Sequence, residues 1–113
     1  MNDQELKQFR TRLTAMQGEL RAVNESAAED VKPVELDQSS VGRVSRMDAM
    51  QAQQMALETA RRREHLLVKI EGALRRIESG RFGRCFQCGE DIDIRRLGAD
   101  PTITRCRACI ESP

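Results

Sequence analysis

The chemistry of this sequence is concentrated in its cysteines. They read Cys85-Phe-Gln-Cys88 and, twenty-one residues on, Cys106-Arg-Ala-Cys109, and there are no others. Two residues between the sulfurs of a pair let one tight turn point both at a single ion. Seventeen residues separate the pairs, inside the window for a four-cysteine zinc site. Four thiolates close a tetrahedron around Zn²⁺ and leave no open position, so one structural Zn²⁺ per chain is expected, held by Cys85, Cys88, Cys106 and Cys109. Gly89 follows Cys88 directly and can take a positive φ, which turns backbone amides toward the sulfurs.

The rest of the chain has to position that cluster. Of 113 residues, 33% are charged and 39% hydrophobic, with three Phe and neither Trp nor Tyr. Such a composition argues against a broad globular core and for long helices with a narrow apolar seam. Zinc helps where a small module buries too little surface to fold by itself. Leu6, Phe9, Leu13, Met16, Leu20 and Val23 follow a three-four spacing, the seam of a coiled coil. Gly18 falls inside it and weakens the helix by about 1 kcal/mol relative to Ala. Pro33 disfavours helix at the residue before it and stops this first helix near residues 28–31.

Residues 31–45 read as a connector, marked by Pro33, Gly42 and an Asp/Ser cluster. Ser45, with Asp48 three residues on, reads as the cap of a second helix. The apolar positions of that helix include Met47, Met50, Leu57, Leu67, Ile70, Leu74 and Ile77, while Gln54, Ala60 and Glu64 interrupt the pattern. Ser79-Gly80 supplies the stop. Beyond it, Ile92 and Ile94 alternate with Asp91 and Asp93 as in a short strand, and Arg95-Arg96-Leu97 suits a helical turn before Asp100-Pro101. The expected fold is mostly α: an antiparallel helical hairpin, a coiled coil, over 1–80, with its tip connector at about 31–45. A small C-terminal four-cysteine zinc-finger module follows over 81–113. A second helix of roughly 35 residues reaches about 50 Å, which predicts a rod with a metal knob at one end and a tip at the other.

Charge and segment type narrow the function classes. The net charge is +1, split as −3 over 1–42, +3 over 43–80 and +1 over 81–113. No part is strongly basic, as a general nucleic-acid binder would be. The first residues lack an apolar run and no stretch approaches a membrane span, so a reducing cytoplasm and no membrane partner are expected. His65 is the single histidine, with no nucleophile assigned beside it, and reads as a helix-surface residue. No enzyme activity is expected.

The stretch Gly80-Arg-Phe-Gly-Arg-Cys85-Phe-Gln-Cys88-Gly-Glu-Asp-Ile-Asp-Ile-Arg-Arg-Leu97-Gly-Ala-Asp-Pro101-Thr-Ile-Thr-Arg-Cys106-Arg-Ala-Cys109 resembles the DksA/TraR family of bacterial zinc-finger regulators. The resemblance implies a transcription regulator that binds RNA polymerase directly rather than DNA. Its coiled coil enters the secondary channel with the tip near the catalytic Mg²⁺, and the zinc end stays at the rim. It then modulates initiation, often with guanosine tetraphosphate, and sequence-specific DNA binding is not expected. A monomer is expected.

Residue by residue, the match is uneven. Known members carry an Asp-x-x-Asp pair with an Ala close behind at the tip. Counting back from Cys85 places Gly42, Ser45 and Met47 there, with Asp37 and Asp48 flanking; Asp37, Ser45, Arg46 and Asp48 are the candidate tip residues. Around this bend Glu25, Glu29, Asp30, Glu35 and Asp37 face only Lys32, a balance of −4, which can act on a metal ion, meet a basic wall, or merely solvate the bend. Some members bind guanosine tetraphosphate through an Arg and a Lys on the second helix and a Lys after the last cysteine. Arg62 and Lys69 occupy the first two places and Ile110 the third. The chain ends four residues after Cys109, short of the C-terminal helix that longer members carry.

Other features read more plainly. Arg61-Arg62-Arg63 spans most of a helical turn, so the three cannot all face one partner. Met16, Met47, Met50 and Met55 are expected to fill the seam, and Phe82 and Phe86 to pack between the zinc module and the hairpin base. Two alternatives stand beside the regulator. One is a nucleic-acid-binding zinc module, which needs a basic face and exposed aromatics. The other is a zinc-thiolate redox switch, for which Arg84, Arg105 and Arg107 stabilise thiolates.

Overall fold

The computed structural model describes residues 1–27 and 43–111. They form four helices, α1 (Asp3–Ala27), α2 (Arg43–Ser79), α3 (Ile94–Ala99) and α4 (Arg107–Glu111). α1 and α2 are the two legs of an antiparallel helical hairpin, and α3 and α4 belong to the C-terminal module. The chain divides into two compact units, Met1–Gly18 with Leu67–Pro113, and Glu19–Leu66.

Local signals set the helix ends. Asn2 caps α1: its side-chain oxygen accepts from the Glu5 N–H at 2.8 Å, and Glu5 accepts from the Asn2 N–H at 3.1 Å. This reciprocal box satisfies two donors the helix leaves orphaned. Gly18 stays within the helix and open space surrounds it. α2 begins at Arg43, so Ser45 lies in its first turn rather than capping it. At the other end, Gly80 adopts φ 75° and the N–H groups of Gly80 and Arg81 return to the carbonyls of Ile77 and Arg76. That is a complete Schellman stop, which needs the left-handed conformation glycine takes without strain.

The first unit holds every buried side chain among the described residues. The buried apolar side chains include Leu13 of α1, Leu67, Ile70, Ala73 and Ile77 of α2, and Phe82, Cys85, Ile92 and Leu97 of the module. Phe9 and Phe82 pack ring to ring, centroids 5.3 Å apart and tilted by 53°. Arg12 of α1 donates to the Gly98 carbonyl at the end of α3. The module is thereby fastened to the start of α1 as well as to the end of α2.

In the second unit the seam departs from the expected one. Half-buried positions on α2 run Arg46, Ala49, Gln53, Ala56, Ala60 and Arg63, and the same three-four rhythm continues into Leu67, Ile70, Leu74 and Ile77. Met47, Met50 and Met55 point outward, at 53%, 53% and 68% exposure, so of the four methionines only Met16 is half-buried. Alanines, the half-buried Leu57 and Leu66, and a polar pair hold the seam instead. Arg63 Nε donates to Asn24 Oδ1 at 2.8 Å, linking α2 to α1.

Candidate metal centre

The cysteine cluster is built on two turns. In the first, Cys85 N–H donates to the Glu90 carbonyl at 2.8 Å and Gly89 N–H to the Cys85 carbonyl at 2.9 Å. Gly89 takes φ 79°, as the sequence anticipates. Arg84 and Asp91 form an antiparallel bridge across this turn. The expected strand around Ile92 is absent among the described residues: Asp93 caps α3, accepting from the Arg95 N–H at 2.9 Å, and Ile94 opens the helix. Asp100 then closes α3 and accepts from both the Thr102 N–H (3.0 Å) and the Thr102 hydroxyl (2.6 Å), a turn that delivers the chain to Cys106. The second cysteine pair opens α4, where Ile110 N–H donates to the Cys106 carbonyl at 3.1 Å.

All four Sγ atoms lie within 4.8 Å of one another. Cys88 Sγ and Cys106 Sγ are 3.6 Å apart, too far for a disulfide. Zn–S bonds of ~2.3 Å in a tetrahedron require sulfurs ~3.8 Å apart, so the set fits one ion. The thiols also interact as a cluster. Burial pushes the Cys85 thiol up, but the N–H groups of Cys106, Cys88 and Gln87, together with the Cys109 thiol, outweigh it and leave it lowered to about 6. Cys109 is pushed up to about 12, first by its hydrogen bonds to the Cys106, Cys85 and Cys88 thiols. Cys88 is raised overall, against the favourable Glu90 N–H. Four such groups cannot all ionise without a cation among them, and a divalent metal supplies that charge. When bound, zinc ties the two turns together and does no chemistry on a substrate.

The remaining candidates are dispersed. Asp37 lies outside the described residues. Arg46 is half-buried with its Nε enclosed and unbonded among the described residues, while Asp48 is exposed. Arg61, Arg62, His65 and Lys69 are exposed on α2, and Arg63 turns inward to Asn24. Phe86 does not pack against the hairpin as expected. It is 69% exposed, with the Arg105 guanidinium 5.7 Å from its ring centroid. The sequence offered only the positions of Phe86 and Arg105 beside cysteines; that the two meet follows from the turns the cluster joins.

Known proteins resemble this chain along most of its length. A family model described as "Prokaryotic dksA/traR C4-type zinc finger" matches residues 80–111. An RNA polymerase-binding transcription factor DksA of Caulobacter vibrioides is 36% identical over 105 residues, covering 92% of this chain and 72% of that protein. Its namesake in Escherichia coli K12 is 34% identical over 119 residues, covering 96% and 71%. The solved structure of the transcription factor DksA2 from Pseudomonas aeruginosa superposes with a TM-score of 0.83 at 29% identity, over 98% of this chain and 84% of that one.

Proposed function

The chain belongs to the DksA/TraR family of C4-type zinc-finger proteins, and from that premise we propose that it is a non-enzymatic transcription regulator that binds RNA polymerase directly. The observation carrying this reading is the likeness to polymerase-binding factors over 92% of the chain, helices and zinc module together. In it, residues 1–80 are the hairpin and 81–113 the module. Cys85, Cys88, Cys106 and Cys109 hold one structural zinc, and the protein acts as a monomer in the cytoplasm. Among the described residues no helix is long and apolar enough to cross a membrane.

The hairpin tip enters the secondary channel and modulates initiation. Asp37, Ser45, Arg46 and Asp48 are the tip residues of this proposal. Arg62 and Lys69, both exposed cations, contact either the polymerase or guanosine tetraphosphate. Ile110 stands where some relatives have a Lys, so any nucleotide response rests on two cations rather than three. The test is capture of core RNA polymerase by the zinc-loaded protein, repeated with the secondary channel blocked. Binding that persists unchanged in the blocked enzyme sinks channel insertion, and no capture at all sinks the polymerase reading.

A further inference from the structure

Phe86 is an anomaly in a chain with three aromatic side chains. Phe9 and Phe82 pack against each other, whereas Phe86 stands 69% exposed on the first cysteine turn. It is nonetheless held in place. Its N–H donates to the Thr104 carbonyl at 2.8 Å, its neighbour Cys85 is buried in the metal cluster, and Arg105 lies over the ring within cation–π distance. Arg105 is positioned too, since its carbonyl faces Arg96 Nη1 at 3.5 Å.

The Arg105 charge also remains uncompensated. Arg107 pairs with Glu111 at 2.9 Å and Arg95 with Asp93 at 3.7 Å, but Arg105 has no acid partner among the described residues. An exposed aromatic and an arginine with no acid partner, already held against each other, are of the residue types enriched at protein interfaces. A single-stranded nucleic acid also stacks on aromatics and arginines. The likeness to RNA polymerase-binding factors favours a protein surface over a nucleic acid.

We propose that Phe86 and Arg105 form an anchor by which the zinc module docks on an acidic protein surface, Phe86 entering an apolar slot and Arg105 meeting a carboxylate at its edge. Resting on the polymerase reading above, that surface belongs to RNA polymerase. The zinc cluster then has a second consequence besides folding, because it fixes the turn that presents Phe86.

The test titrates zinc-loaded protein against core RNA polymerase and, separately, against a fluorescent oligo-dT. Phe86→Ala should bind the polymerase about 10- to 100-fold more weakly, and Phe86→Tyr within about threefold of wild type. Arg105→Glu should lose about tenfold, by a margin that shrinks as salt rises. Zinc content, measured on every sample, should stay at one equivalent. Should Phe86→Ala lose its metal, the exposed Arg105→Glu decides alone. Wild-type binding that neither variant weakens overturns the anchor while leaving the polymerase reading standing, whereas a wild type that fails to bind removes the occupant itself. Tight oligo-dT binding lost in Phe86→Ala would overturn the proposal in favour of nucleic-acid stacking.

Discussion

The two compact units of this protein are stabilised in different ways. Met1–Gly18 with Leu67–Pro113 encloses Leu13, Ile70, Ala73 and Leu97 completely and adds a four-sulfur metal set. Glu19–Leu66 has no buried side chain among its described residues and meets its seam with Ala49, Ala56, Ala60, the half-buried Leu57 and Leu66, and the Arg63–Asn24 hydrogen bond. A large side chain taken fully out of water is worth about 1.5–3 kcal/mol, so the first unit has sources of stability that the second lacks. The second depends on helix propagation from α1 and α2.

The widest gap between the units should open on removing the metal. Cys88→Ser should drop bound zinc from about one equivalent to near none and unfold the module, since structural zinc contributes on the order of 10 kcal/mol to such domains. Much of the α1 and α2 helicity should persist, seen as retained helical circular dichroism alongside lost metal. Zinc content unchanged in that variant would remove Cys88 from the ligand set. Acid works in the same direction: protons compete with zinc for the sulfurs, so metal is released as pH falls.

Truncating side chains should reproduce the contrast on a smaller scale. Ile70→Ala, at a fully buried position, should cost about 2–5 kcal/mol in chemical denaturation. Met55→Ala, at 68% exposure, should stay within about 0.5 kcal/mol. Equal losses at the two positions would refute the division into a packed unit and a slender one. Within the second unit, Arg63→Ala should cost about 0.5–1.5 kcal/mol, and a double-mutant cycle with Asn24→Ala should assign most of it to their hydrogen bond. Two additive losses would mean that the pair does not couple the helices.

The smallest expected change is a gain. Gly18→Ala places a methyl where nothing lies within 4 Å and should raise stability by about 0.5–1 kcal/mol. Its melting curve should shift upward. A loss instead would show that the helix needs a pliant residue where the two units divide.

Particular residues show how far the sequence could be read. The α1 seam was legible as far as Leu20, because Leu6, Phe9, Leu13, Met16 and Leu20 are all large and apolar and each is at least half-buried, whereas Val23, expected to continue it, is exposed. The α2 seam was legible at Leu57 and over Leu67, Ile70, Leu74 and Ile77, but not in the rest of its first half, which is marked by small and polar residues. There the conspicuous apolar side chains, Met47, Met50 and Met55, lie off the stripe. Periodicity weighted by hydrophobic size follows the methionines, whereas a close helix pair selects alanine. The alternation at Ile92 and Ile94 misled for a related reason: the Asp93 cap outweighs a two-residue strand pattern.

Sequence alone determined the four-cysteine cluster, the left-handed turns at Gly80 and Gly89, and the C-terminal end of α2. Each of these depends on bonds between residues close in the chain or on the fixed valence of one ion. Tertiary structure decided which face of α2 turns inward, that Arg63 meets Asn24, and that Arg105 lies over an exposed Phe86. Those outcomes join residues 39 and 19 positions apart, and such pairs are selected by packing rather than by local propensity.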